Sequence, residues 1–168
     1  MEGFYILFTV NLAIIIPFLA AAFIPLFHNK LKRIPIGWFV FIVPFSLFIF
    51  LVRYIPNIAS GATYLYTFQW IPSYQINFTT YLDGLSLIFA LLITGIGALV
   101  TIYSIYYLSE EEDLKNFYIY LLLFMGAMLG VVFSDNLMVL YVFWELTSIS
   151  SFLLIAFWFH RKRSRDAA

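Results

Sequence analysis

The sequence predicts an all-α integral membrane protein with about five transmembrane helices and a small extracytoplasmic β-hairpin between helices two and three. Of its 168 residues, 64% are apolar and only 11% are charged. The mean hydropathy of +0.96 lies far above what a water-soluble surface tolerates. Five apolar stretches are each long enough to cross a hydrocarbon core of about 30 Å, which takes about 20 helical residues.

The five predicted spans follow one another with four polar links between them. The first begins close to Glu2 and holds roughly 24 apolar residues, too many for a signal-peptide core of about 7 to 15, so we expect a retained helix. The last two spans are joined by only Ser134, Asp135 and Asn136, which predicts a tight antiparallel pair. The predicted spans are residues 4–27, 37–55, 83–108, 117–134 and 137–159.

The second link, residues 56–82, is the only long one. Its segments 63–70 and 75–81 are rich in Tyr, Phe and Thr and lie on either side of Pro72 and Ser73. Aromatic and β-branched runs around turn residues are typical of paired strands. We therefore expect a small β-hairpin outside the lipid.

The basic residues indicate an orientation. If successive links lie on opposite sides of the membrane, eight of the nine Lys and Arg residues fall on one side and Arg53 falls on the other. Because such residues favour the cytoplasmic side, we expect a multi-pass protein of the plasma membrane, with the N-terminus outside and the C-terminus in the cytoplasm. The eight residues are Lys30, Lys32, Arg33, Lys115, Arg161, Lys162, Arg163 and Arg165.

The composition argues against several kinds of site. Nine basic and nine acidic residues cancel, so no overall field attracts nucleic acid, and we expect no nucleic-acid partner. The chain has no cysteine, which excludes disulfides, thiolate metal sites and a cysteine nucleophile. His28 and His160 lie at polar helix ends without a second ligand at useful spacing, so we expect no metal site and no cofactor.

Glu145 is the only acidic or basic residue at membrane depth. It lies about 13 Å from the outer end of the fifth span at 1.5 Å per residue. An ionised side chain there costs about 2.5 to 3.5 kcal/mol on insertion scales, and such groups commonly mark ion paths. Burial favours the protonated form of a carboxyl group and a nearby cation favours the carboxylate, so Glu145 is a candidate for loading and unloading a proton. A neutral, hydrogen-bonded structural Glu is the alternative.

Polar side chains around Glu145 are candidate supporting residues. At 100° per residue, Tyr141, Glu145 and Ser148 share one helix face, so Ser148 is expected to reach the carboxyl group. Thr147 lies on another face with Ser151. The alternative for Thr147, and for the nearby Ser150 and Ser151, is hydrogen bonding to their own helix or to a neighbouring one.

Two further features have a structural and a functional interpretation. Asp83 precedes the third span, where a side-chain oxygen can cap the first turn; an outer ion-entry role is the alternative. Gly126 and Gly130 form a GxxxG pattern in the fourth span, and Gly95 and Gly97 narrow the third, so we expect close helix packing at all four positions.

Four longer strings carry a family resemblance. The first string, Asp83-Gly84-Leu85-Ser86-Leu87, opens the third span. The other three are residues 93–97 within that span, residues 124–130 and residues 134–154. The chain resembles the ion-translocating subunits shared by Mrp-type multisubunit Na+/H+ antiporters and the membrane arm of complex I, and it is most similar to the antiporters. The resemblance implies Na+/H+ exchange driven by the proton-motive force and proton transfer at Glu145, with a partner lysine on a later helix.

The resemblance also implies partners and a larger protein. Other subunits of a hetero-oligomeric antiporter, the lipid bilayer, H+ and Na+ are the expected partners, with K+ or Li+ as alternative cations. Family members continue for many more helices, so we expect residues 1–168 to form a single membrane domain at the N-terminal end of a longer subunit. The alternatives are a proton-pumping subunit of complex I or a non-transporting truncated fragment.

Overall fold

The structure, a computed structural model, describes residues 2–27, 36–71, 76–108 and 114–158. Within these ranges the chain is mostly helical, with one two-stranded antiparallel sheet. The elements are α1 Glu2–Phe27, α2 Ile36–Val52, α3 Ile55–Ala59, β1 Tyr64–Ile71, β2 Ile76–Leu82, α4 Gly84–Tyr107, α5 Leu114–Phe133, α6 Leu137–Ile155 and a closing 3-10 turn, Ala156–Trp158.

The helices confirm the predicted membrane fold. Four segments of the described chain are long and apolar enough to cross a bilayer: Ile36–Ala59, which combines α2 and α3, and the helices α4, α5 and α6. Helix α1 has 26 residues, about 39 Å at 1.5 Å per residue, and is apolar over Val10–Pro25. The chain is therefore a multi-pass membrane protein.

The second span is broken near its C-terminal end, where the sequence predicted one helix through residue 55. Helix α2 ends at Val52, and a turn at Arg53 and Tyr54 leads into the short α3. Pro56 lies in the first turn of α3. Because proline has no N–H group and its ring clashes with the carbonyl four residues earlier, a helix running through Val52 stops before it.

The predicted hairpin is present. Strands β1 and β2 pair antiparallel from Tyr64 opposite Leu82 to Ile71 opposite Ile76, with an irregularity between Gln69 and Ile71. These strands lie within one residue of the predicted segments. Residues 72–75, which include the predicted turn at Pro72 and Ser73, lie outside the described residues.

The hairpin is fastened to the helices through β2. The edge of β2 that does not pair with β1 forms an isolated antiparallel bridge between Thr80 and Ser134. Beside it, the Asp135 amide donates a hydrogen bond to the Thr79 carbonyl at 2.9 Å. The Thr80 hydroxyl, which is 2% exposed, donates to Asn11 Oδ1 in α1 at 3.1 Å. The hairpin and the α5–α6 turn therefore lie on the same side of the membrane, as the alternation of links requires.

Helix packing proceeds in pairs, and the most extensive contacts join α2 to α4, α5 to α6 and α1 to α5. Beyond Ser86 in its first turn, α4 has three buried hydroxyl groups, which are hydrogen-bonded to carbonyls of α4 itself. Thr94 bonds the Ala90 carbonyl at 2.8 Å, and Thr101 bonds the Gly97 carbonyl at 2.8 Å. Ser104 bonds the Thr101 carbonyl at 2.7 Å and also the Tyr118 hydroxyl of α5 at 3.1 Å.

The four glycines singled out by the sequence each face a side chain of another helix. An added Cβ atom at any of them would lie in tight contact with that side chain, so the helices approach closely at these positions. The facing pairs are Gly95 and Phe48, Gly97 and Met125, Gly126 and Phe18, and Gly130 and Phe143.

Candidate functional site around Glu145

Glu145 lies close to the midpoint of α6. The helix begins after Asn136, whose side-chain oxygen accepts a hydrogen bond from the Met138 amide at 2.9 Å and caps the first turn. Glu145 lies eight positions after Leu137, which is about 12 Å at 1.5 Å per residue. The carboxyl group is therefore at the depth that the sequence predicted.

The side of α6 that bears Glu145 faces away from the rest of the described chain. Val139 and Ser150 are the buried residues of this helix, and together with Phe143 they form the side that packs on α5. Glu145 follows Phe143 by two residues, which is 200° around the helix axis at 100° per residue. Glu145 is accordingly exposed in this chain.

Tyr141 is the supporting residue that the structure brings to Glu145. It lies one turn before the carboxyl group on the same face, and its hydroxyl is close enough to interact with Glu145. Tyr141 is itself 59% exposed. The two side chains thus lie together on the exposed face of the helix.

The hydroxyl groups that follow Glu145 bond to their own helix. Ser148, expected to reach the carboxyl group, donates to the Trp144 carbonyl at 3.3 Å, and Thr147 donates to the same carbonyl at 2.6 Å. Ser150 and Ser151 likewise bond carbonyls of the preceding turn. In a medium without water, a hydroxyl group takes the nearest free acceptor, and in a helix that is a carbonyl three or four residues earlier.

Asp83 forms an N-cap at the start of α4. Its Oδ1 accepts a hydrogen bond from the Ser86 amide at 2.8 Å, and the Ser86 hydroxyl oxygen accepts one from the Asp83 amide at 2.8 Å. This reciprocal pair is a capping box, and it satisfies two amide groups that a helix start would leave unpaired. An ion-entry role for Asp83 stays a prediction.

An apolar groove opens on the other side of α6 from Glu145. It has a volume of about 560 Å³ and is lined by α1, both strands and α6. Asn11 is its polar member within a lining of aromatic and aliphatic side chains, which include Phe143 and Leu146. In the part of the chain that the structure describes, no three His, Asp or Glu side chains are grouped so that they could hold a metal ion.

Sequence reasoning missed the aromatic contacts beside this site. The Phe143 ring lies between Phe18 of α1, at a centroid distance of 6.5 Å, and Phe78 of β2, at 6.3 Å. The tight turn between α5 and α6 predicts that Gly130 and Phe143 lie at a similar level, but the sequence does not show that they face each other, because that contact depends on how the two helices are rotated against each other.

Comparison with known proteins places the chain in a family. Residues 68–118 match the N-terminal family of NADH-ubiquinone oxidoreductase (complex I) chain 5, and residues 134–168 match the transmembrane family of NADH:quinone oxidoreductase and Mrp antiporters. The chain is 59% identical over 157 residues to the Na+/H+ antiporter A subunit of Alkalihalophilus pseudofirmus. The chain belongs to the family of antiporter-like membrane subunits. A second antiporter relative, the Na+/H+ antiporter A1 subunit of Staphylococcus aureus, is 56% identical over 154 residues.

The antiporter-like chain spans about a fifth of the length of these relatives. The alignments cover 93% of the chain but 20% of the first relative, and 92% but 19% of the second. A chain of the solved Mrp complex from Dietzia sp. DQ12-45-1b has a similar structure, with a TM-score of 0.76 at 32% identity over 88% of this chain and 16% of that one.

The antiporter-like fold also occurs in a respiratory complex. A chain of the archaeal membrane-bound sulfane sulfur reductase superposes with a TM-score of 0.81 at 20% identity. The match covers 95% of this chain and 32% of the other. At this identity the likeness shows a common fold alone.

Proposed function

We propose that this chain supplies part of a subunit of a cation/proton antiporter, in which Glu145 is the proton-handling carboxyl group inside the membrane. The exchange is of Na+ against H+, driven by the proton-motive force. The observation that carries the proposal is the place of Glu145 near the midpoint of a membrane-spanning helix, on the face that the described chain leaves open. The identity of 59% to an Na+/H+ antiporter subunit supports the choice of reaction.

The surroundings of Glu145 suit a group that changes its charge. An acidic side chain at the centre of a bilayer is costly and normally faces a protein interior or water rather than lipid. Lysine and arginine are absent from the membrane-depth part of the described helices. A cation able to pair with Glu145 would therefore come from another segment or another subunit.

The energies involved make such a switch effective. Moving one elementary charge through 100 mV is worth about 2.3 kcal/mol, and about 1.36 kcal/mol corresponds to a tenfold change in proton occupancy. The energy of moving one charge through 100 mV is therefore enough to change the ratio of protonated to ionised Glu145 by about 50-fold. A neighbouring charge that approaches or withdraws from Glu145 could deliver that energy. Tyr141 is the neighbouring polar group on the same helix face that could orient the carboxyl group.

The expected surroundings of the chain follow from the same proposal. Residues 1–168 form one membrane domain toward the N-terminal end of a longer subunit, and residues 56–82 form its extracytoplasmic hairpin. The N-terminus lies outside and the C-terminus in the cytoplasm, because eight of nine basic residues then face the cytoplasm. The partners are other subunits of an antiporter complex in the plasma membrane, the lipid, H+ and Na+, with K+ or Li+ as alternative cations.

A complex I-type role is the second candidate. It is favoured by the match of residues 68–118 to the complex I chain 5 family. In that case the chain would belong to a proton-pumping membrane subunit of an NADH:quinone oxidoreductase. Purification of the complete subunit with its native partners distinguishes the two, since dehydrogenase subunits would accompany it only in the second case.

The test of the proposed function is Glu145→Gln in the complete subunit within its complex. We expect the variant to assemble and to lose Na+-driven proton movement in everted membrane vesicles by at least about tenfold, because glutamine cannot carry the proton. Asp135→Asn is the matched control: it removes an acid from the exposed α5–α6 turn and should leave exchange unchanged. Exchange by Glu145→Gln at the wild-type rate would refute the role of Glu145.

A further inference from the structure

Phe143 is held by three elements that meet on the packed side of α6. Phe18 of α1 and Phe78 of β2 lie against its ring, with Phe78 edge-on at 71°. The third contact is the backbone of Gly130 in α5, which offers a notch where other residues carry a side chain. The ring thus fits between α1, α5 and the hairpin.

The notch at Gly130 accepts no larger residue unless the Phe143 side chain or α6 moves. A Cβ atom there would overlap the Phe143 ring, and the overlap reaches Cγ, the ring atom closest to the backbone. Rotation of the ring about its own axis leaves Cγ in place. The side chain would therefore have to leave its position between Phe18 and Phe78, or the helix itself would have to shift or turn. The corresponding contact of Gly126 is looser, because a Cβ atom added to Gly126 would lie 2.9 to 3.1 Å from ring atoms of Phe18.

Few other residues of α6 are enclosed. Val139 and Ser150 are the buried residues of this helix, and Phe143 packs on the same side of it. The seating of Phe143 against Gly130, together with the burial of Val139 and Ser150, therefore sets which face of α6 carries Glu145 away from α5.

We propose that Phe143, seated in the Gly130 notch, is a positioning residue that fixes the direction from which Glu145 meets its partners. The proposal rests on the proposed function of Glu145. Since the two side chains are 200° apart on the same helix, a turn of α6 that releases Phe143 moves the carboxyl group by the same angle. A misplacement of about 1 Å in a reacting group can lower a rate by about 100-fold.

The test is Gly130→Ala in the complete subunit within its complex, followed by the compensating pair Gly130→Ala/Phe143→Leu. We expect the single variant to lower exchange by about 10- to 100-fold and to displace the pH profile of exchange, because the carboxyl group meets different neighbours. The smaller leucine should restore both toward wild type. Gly95→Ala is the matched control, since its Cβ would lie 3.3 Å from Phe48 of α2, remote in sequence and packing from α6.

Each result decides the proposal. Wild-type exchange by Gly130→Ala, a lower rate with an unmoved pH profile, or a double variant no better than the single one would overturn it. If Gly130→Ala fails to assemble, Phe143→Leu alone serves as the test: it leaves the notch partly empty, and an unchanged pH profile would again contradict the proposal. Loss of exchange in Glu145→Gln beside a normal Gly130→Ala would refute the positioning role and leave the proposed function standing. Normal exchange in Glu145→Gln would overturn both.

Discussion

The capping box at Asp83 allows the structural and the ion-entry interpretation of this residue to be separated by experiment. Asparagine and aspartate are about equally good N-caps, whereas alanine costs about 0.5 to 2 kcal/mol. Asp83→Asn keeps an acceptor for the Ser86 amide, which lies 2.8 Å from Oδ1, but removes the charge. Asp83→Ala removes both the acceptor and the charge.

We expect the two variants to differ in stability and not in transport. A loss of about 1 kcal/mol multiplies the open population of the first turn of α4 by about five, so the Ser86 amide in Asp83→Ala should exchange its hydrogen about five times faster. In Asp83→Asn it should exchange within about twofold of wild type. Both variants should retain Na+-driven proton movement.

Amide hydrogen exchange read by mass spectrometry and vesicle transport on the same preparations provide the measurement. Ser86→Ala is the control for the cap, because it removes the other half of the box and leaves the Asp83 charge. The view that Asp83 serves only as a cap would be refuted if Asp83→Asn transported at least about tenfold more slowly while the Ser86 amide stayed protected. That result would mean that the charge itself serves the passage of ions.

Two further predictions concern polar contacts described above. Tyr141→Phe should lower the rate of exchange in vesicles by about 2- to 10-fold, which corresponds to the loss of one hydrogen bond. The control Tyr106→Phe, at a residue of α4 that is 77% exposed, should show no such loss. Equal rates for the two variants would argue against a role of the Tyr141 hydroxyl. Thr80→Val should lower the stability of the folded chain by about 1 kcal/mol, because it removes the hydrogen bond to Asn11. It should therefore speed limited proteolysis of the hairpin more than the control Thr67→Val, which lies at an exposed position.

Most of the fold could be predicted because a membrane imposes length and apolarity on every span. The predicted start of the last span and both strands agree with the structure to within one residue, since Asn136 and the aromatic strand residues are local signals. The prediction missed the break of the second span before Pro56, although its signal is also local. The apolar run continues through the break, and only the missing amide of proline indicates the turn. The attachment of β2 to Ser134 joins residues 54 positions apart, and no local pattern reports it.

The candidate site could be predicted in its depth but not in its direction. Residue periodicity placed Tyr141 beside Glu145, and in the structure the two side chains are close enough to interact. The same periodicity placed Ser148 there too, yet its hydroxyl bonds the Trp144 carbonyl, since the helix backbone is the nearer acceptor. Which side of α6 packs on α5 follows from the fit of Phe143 to Gly130, a contact between two helices that a single apolar sequence leaves open.

The hydroxyl groups of α4 bear on where water can enter this protein. Thr94 and Thr101 donate their protons to carbonyl oxygens of α4 itself, and Ser104 is hydrogen-bonded to the Thr101 carbonyl and to the Tyr118 hydroxyl of α5. These hydroxyl groups are therefore already satisfied within the protein. A hydrated ion entering there would shed its water shell and gain few substitutes for it. We therefore expect water and ions to avoid the buried face of α4.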